Sequence, residues 1–185
     1  MARRALLDAC VLYPTILREI LIGAAQAGLY RPLWSARLFE EWARAAARHS
    51  PADEAIARGD IALIRAAFPQ AEVAAAPGLE ARLHLPDLND IHVLAAAIAG
   101  SADLIVTFNA RDFPRGVLAA EGLARQDPDA FLMDLWLADP PALEGVVAQV
   151  RARTEAISGR DQPLRALLKR ARLPRLGKAL DPARG

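Results

Sequence analysis

An apolar run near the start of the chain, ALLDACVLYP, places Asp8 directly after Ala5, Leu6 and Leu7. A second stretch, LPDLNDIHVLAAAIAGSADLIVTFNARDFP, carries Asp87, Asp90, Asp103 and Asp112. An aspartate where a buried strand runs out can sit in the crevice beyond the carboxyl ends of a parallel sheet. Several carboxylates brought there cannot all stay charged and unpaired, so the crevice invites a hard divalent cation with oxygen ligands. Such a cation activates a water and stabilises charge on phosphoryl oxygens, which points to metal-dependent phosphodiester hydrolysis.

Taken one at a time, these residues have ordinary roles. Asp8 can stabilise a strand-to-helix turn. Glu40 and Glu41 lie among Leu38, Phe39, Trp42 and Ala43, an arrangement that sets Glu41 beside an apolar stripe and turns Glu40 toward solvent. Asp87 or Asn89 can cap the helix that follows, whereas Asp90, further in, can point across the sheet edge toward Asp8. Thr107, Asn109 and Asp112 follow an apolar strand and repeat the situation of Asp8, or else bond loop amides. His92, among apolar helical neighbours, reads as a packed or rim histidine. His49, His84 and the lone Cys10 have no spacing that makes a zinc site. A haloacid-type phosphatase also begins with a strand-end aspartate, but it needs a second one two positions on, where Cys10 stands.

The elements that must position these side chains follow from pattern. Arg4 to Ala9 reads as a buried strand and Pro14 to Ala27 as a helix closed by Gly28. Ser35 caps a helix over ARLFEEWARAAARH. Ser50-Pro51 starts another, with Asp53 and Glu54 in its first turn and its end at Phe68-Pro69. AEVAAA is a weak strand, IHVLAAAIAG a helix ended by Gly100, and DLIVTF a second buried strand. Small residues at Ala95, Ala96, Ala97 and Ala99 let that helix approach the sheet closely. Two or three helices are expected after Pro114. Apolar strands alternating with helices indicate an α/β fold with a parallel sheet.

The order LLDACVLYP, LFEEWAR and LPDLNDIHVLAAAIAGSADLIVTFNARDFP resembles the PIN domain, in the branch that includes VapC-type toxins of bacterial toxin–antitoxin pairs. The resemblance spans roughly residues 4 to 115. It implies a three-layer α/β/α sandwich with a central parallel sheet, plus C-terminal helices, and an Mg²⁺- or Mn²⁺-dependent endoribonuclease. Matching motif to motif puts the acidic site and its metal ligands on Asp8, Glu41, Asp90 and Asp112, with Asn109 and Thr107 beside them. Glu40 competes with Glu41 in this matching, and Asp87 competes with Asp90. The resemblance also implies an RNA substrate, a small antitoxin partner and a homodimer, for which Leu29, Tyr30, Trp34, Leu135 and Trp136 are candidate interface residues. The alternatives are a catalytically inactive RNA- or protein-binding module and a PIN nuclease of RNA processing.

Bulk properties bound these readings. The 185 residues suffice for one domain of ordinary size with a small extension, and Pro140-Pro141 suggests residues 1–139 as the nuclease domain and 140–185 as a helical extension. Net charge is +1, but from Arg160 onward eight basic residues face only Asp161 and Asp181. That stretch carries +6 and leaves −5 on the first 159 residues. The basic stretch can hold a polyanion, or it is a solvated helix end that frays near Pro182. A single cysteine excludes an intrachain disulfide and suits a reducing interior. No uncharged apolar run reaches the roughly eighteen residues of a membrane span, and MARR followed by Asp8 makes a poor signal peptide. A cytoplasmic protein without membrane association is expected.

Overall fold

Strand β1 (Arg4–Leu7) is the centre of a five-stranded sheet in the computed structural model, which describes residues 2–181. The other strands are β2 (Arg31–Ser35), β3 (Glu72–Val73), β4 (Leu104–Val106) and β5 (Ala124–Gln126), in the order β3-β2-β1-β4-β5, with every pair parallel. Ala5, Leu6 and Leu7 are fully buried, as are Leu104, Ile105 and Val106, which is the composition of strands covered on both faces. In register, Leu7 stands beside Val106, so the residues that leave the two strands, Asp8 and Thr107, emerge together.

The chain groups into two compact units. One contains the residues up to Tyr13 together with Tyr30–Gln126, and the other contains Pro14–Leu29 and everything from Asp127 onward. The first holds the whole sheet with α1 (Ala9–Leu12), α3 (Ala36–Ala47), α4 (Pro51–Ala67), α5 (Pro77–Glu80), α6 (Ile91–Ala99) and α7 (Arg115–Ala120). Ser35 caps α3 by accepting from the Leu38 amide, and Ser50 caps α4 by accepting from Asp53. Both starts agree with the expected ones. A short 3₁₀ turn, Leu88–Asp90, leads into α6, which packs on β1, β2 and β4.

The second unit holds α2 (Thr15–Gln26), α8 (Pro128–Ala138), α9 (Pro140–Ser158), α10 (Leu164–Arg170) and α11 (Pro174–Leu180). Helix α2 packs on α9, and Gly23 permits the approach: a Cβ there would stand 2.7 Å from Val146 Cγ1. It ends as expected at Gly28, whose φ of 78° lets Leu29 N–H reach back to the Ala24 carbonyl and Gly28 N–H to that of Ala25. Pro140 and Pro141 open α9. Among the described residues five helices, not two or three, follow Pro114. The basic stretch is folded into helices up to Leu180, and the fraying expected near Pro182 falls outside the described residues. Its helices bury Leu167, Leu168, Ala171, Leu173 and Leu176, and the buried Asp129 carboxylate accepts from the amides of Arg175 and Leu176 at the start of α11. Lys169, Arg170, Arg172, Arg175 and Lys178 are exposed, while Pro182 and Arg184 lie outside the described residues.

Strand β2 is absent from the sequence reading because Arg31-Pro32 opens it. Pro32 breaks no ladder bond. Arg31 donates toward β1, to the Arg3 carbonyl, and Trp34 donates toward β3, to Ala71. Position 32 therefore faces the β3 side, and β3 pairs only with Trp34 and Ser35. Strand β5, Ala-Arg-Gln, is an edge strand too short and too polar to show a period. The candidate interface residues Tyr30, Trp34 and Leu135 are buried core residues, which removes them as exposed contacts, and Trp136 donates to Glu144.

Gly100 ends α6 in close contact with side chains of β2 and β3. A Cβ at this position would stand 2.8 Å from Val73 Cγ2 and 3.0 Å from Leu33 Cδ1. Gly100→Ala is expected to lower stability by about 1–3 kcal/mol through overpacking, measured by urea denaturation, without changing the acidic residues.

Candidate metal centre

Asp8 is the first residue beyond β1. Its amide still bonds the Val106 carbonyl (3.2 Å), which fixes the backbone at the sheet's carboxyl edge. Its side chain is 7% exposed, and its Oδ2 accepts from the Thr107 hydroxyl at 2.6 Å and from the Cys10 thiol at 3.0 Å. Thr107 is itself buried and accepts from the Asn109 amide at 2.8 Å. The Phe108 amide donates to Cys10 Sγ at 3.3 Å. Burial first, and then the Asp8 charge, push the Cys10 thiol up to about 12, so it stays a neutral donor.

The second group comes from the turn before α6 and the loop after β4. Asp87, Asp90 and Asp112 each offer a carboxylate oxygen, and these oxygens lie within 4.8 Å of one another. Asp87 caps the 3₁₀ turn, its Oδ1 accepting from the Asn89 amide and side chain, both at 2.9 Å. Asp112 closes a turn with its amide on the Asn109 carbonyl at 3.2 Å. Asp90 Oδ2 is buried with no hydrogen-bond partner among the described residues. Desolvation, followed by the charges of Asp8, Asp87 and Asp112, raises the Asp90 carboxyl to about 6. Asp8 thus acts electrostatically on the cluster around Asp90.

Glu41 on α3 meets His92 on α6, with Glu41 Oε1 2.9 Å from His92 Nε2. The contact is at ion-pair distance but outside hydrogen-bond alignment, and His92 Nδ1 has no partner among the described residues. Burial pushes the Glu41 carboxyl up, but His92 and Arg37 outweigh it and hold the pKa below the usual glutamate value. Glu40 is instead engaged by Arg44 and Arg58. Asn109 is exposed. Asp103 lies at the other end of β4, where its carboxylate accepts from the Arg4 amide at 2.7 Å. Sequence reasoning weighed Asp87 against Asp90, and the structure brings both together. It gave no role to Cys10, which donates to Asp8, or to the Glu41–His92 contact. Apart from Cys10 standing two residues after Asp8, nothing in the local pattern signals either.

The donor set fits a hard divalent cation. It consists of carboxylate oxygens, it includes a buried oxygen left without a donor, and the nearby thiol is kept protonated. A cation held there would neutralise the charges that raise Asp90.

A parallel α/β sheet with carboxylates gathered beyond its carboxyl edge is an architecture that could hold a divalent cation. The family model for the PIN domain matches residues 4–111, more than half of the 185-residue chain, and the chain belongs to the PIN domain family, whose members are generally metal-dependent nucleases. The match ends one residue before Asp112. No curated protein and no solved structure matches the chain. Among the described residues no helix is long and apolar enough to cross a membrane.

Because the folded chain holds the Asp90 proton more tightly than an unfolded chain would, stability of the metal-free protein falls as pH rises from about 4 to beyond about 6. Thermal unfolding across this range should show that loss, and Asp90→Asn should flatten it. Added Mn²⁺ should raise the unfolding midpoint more at pH 7.5 than at pH 5, where protons compete. Thr107→Val removes a donor from a buried carboxylate and should cost about 1.5–3 kcal/mol in denaturant unfolding.

Proposed function

We propose that this protein is an endoribonuclease that uses Mg²⁺ or Mn²⁺ to hydrolyse RNA phosphodiester bonds, as the toxin of a toxin–antitoxin pair. The observation that carries this reading is the gathering of Asp87, Asp90 and Asp112, coupled to Asp8, beyond the carboxyl edge of the sheet. When bound, the cation would lower the pKa of a water and stabilise charge on the phosphoryl oxygens. Asp8, Asp90 and Asp112 would hold it, with Asp87 beside them.

The remaining work falls to the chain's own groups. Thr107 and Cys10 occupy one oxygen of Asp8 and so fix how the carboxylate is presented. Glu41, kept ionised by His92 and Arg37, can accept a hydrogen bond from the attacking water and orient it. Water adds at phosphorus and the 3′ oxygen leaves, giving a 5′-phosphate and a 3′-hydroxyl. The exposed cations of α10 and α11 supply a phosphate-attracting surface on a chain that is otherwise acidic.

The toxin role rests on the motif order that resembles VapC-type toxins. It entails a small antitoxin partner, cytoplasmic action and, as in many such toxins, a homodimer. Expression of the wild type is expected to arrest growth, and Asp8→Asn or Asp90→Asn to relieve it. Purified protein should cut RNA with Mg²⁺ or Mn²⁺ and stop with EDTA, and either variant should lose on the order of 100-fold or more in rate, measured on end-labelled RNA. Well-folded protein that leaves several RNAs intact and shows no heat on Mn²⁺ titration would leave only a binding module.

A further inference from the structure

A cavity of about 330 Å³ opens at the same sheet edge as the acids, beside the ends of β2 and β3. Its volume falls in the range of small-ligand sites. One wall is the start of α3, a 12-residue helix, contributed by Ser35, Ala36 and Arg37. The Ser35 hydroxyl satisfies only the Leu38 amide, so the amides of Ala36 and Arg37 have no intrahelical acceptor and the positive end of the helix dipole faces the opening. Arg37 spends its Nε on Glu41, which leaves both terminal amino groups of its guanidinium for a planar acceptor.

Two further features point to a ligand rather than to a bare helix terminus. His92 lines the cavity, is only 4% exposed, and has an Nδ1 without a partner among the described residues. A histidine buried this deeply normally has both ring nitrogens satisfied. Glu80 also lines the cavity, and it alone among the charged residues there has no ion-pair partner among the described residues. Glu72 is held by Arg65 at 2.6 Å, and Arg37 and His92 both contact Glu41. The rest of the lining is small, with alanines at 74–76 and Ala96 leaving room for a planar ring.

We propose that this cavity holds one nucleotide of the strand being cut, with its phosphate on the α3 amides and Arg37 and the donor edge of its base on Glu80, guanine preferred. An ionised carboxylate only accepts hydrogen bonds. Guanine presents two adjacent donors, N1–H and the 2-amino group, to one carboxylate, whereas uracil presents one. His92 Nδ1 supplies one further polar contact. His92 lines the pocket and also acts electrostatically on Asp90, which places the pocket next to the acidic centre, so it would set which nucleotide lies beside the scissile bond. The assignment rests on the nuclease reading of that centre.

The test is titration of the full chain, free of metal, with 5′-GMP, 5′-AMP, 5′-CMP and 5′-UMP, followed by amide chemical shifts in NMR. GMP is expected to bind about tenfold more tightly than UMP, with shifts at Ala36, Arg37 and His92. Glu80→Gln should erase the preference for GMP. Ala75→Phe, at an exposed loop position lining the cavity, should weaken all four by about tenfold or more. An unchanged thermal midpoint would verify that each variant is folded. Absence of binding at about 10 mM, or binding indifferent to both substitutions, overturns the proposal. RNA cleavage without nucleotide binding removes the pocket and leaves the nuclease; nucleotide binding without cleavage does the reverse.

Discussion

The hydrogen bond from Thr107 to Asp8 joins two chain segments 99 residues apart at the point where both leave the sheet. The oxygens of a carboxyl group only 7% exposed need hydrogen-bond donors, and here the donors come from the next strand's exit and from Cys10 two residues on. This constraint ties β1 to β4 in a register that cannot slip, because a shift of one residue would bury the carboxylate without its partners. The rest of the acidic centre depends on it. Helix α6 brings Asp90 to within electrostatic reach of Asp8, and its close seating relies on Gly100 and a run of alanines.

The centre thus combines two different ways of handling buried negative charge. Asp8 is satisfied by neutral donors and is held in one orientation. Asp90 has a bare oxygen and three acidic neighbours, so its carboxyl holds its proton to a higher pH. Glu41 represents a third arrangement, an acid kept ionised by a histidine and an arginine. One set of carboxylates is therefore differentiated by surroundings into an oriented one, a proton-retaining one and an ionised one, the usual route by which identical groups acquire different tasks.

Much of this was legible in residue order. Strands β1 and β4 announced themselves by unbroken apolar runs ending in polar residues, and Ser35, Ser50 and Gly28 marked helix boundaries by cap chemistry. Strand β2 was hidden by Pro32, whose missing N–H matters only if one knows that β3 has not yet begun beside it. Tyr30 and Trp34 looked like surface aromatics for the same reason, since without β2 they had no core to enter. The roles of Asp87 and His92 were illegible because both depend on which elements meet across the sheet edge. A cap signal cannot say whether its second oxygen faces solvent or a neighbouring acid, and a histidine among alanines does not disclose a glutamate fifty-one positions earlier.

Helix α2 belongs to a unit whose other members begin at Asp127, although it is made from residues 15–26. During synthesis the sheet can therefore close while α2, with its buried Leu17, Ile20, Leu21 and Ala24, still lacks α9, against which it packs. For the time the ribosome needs to add the intervening hundred-odd residues, a sticky amphipathic segment stays unclaimed. A chain interrupted before α9 would retain every acidic residue of the centre and yet carry an aggregation-prone helix, so the last helices act on the protein's survival in the cell before they act on anything it binds.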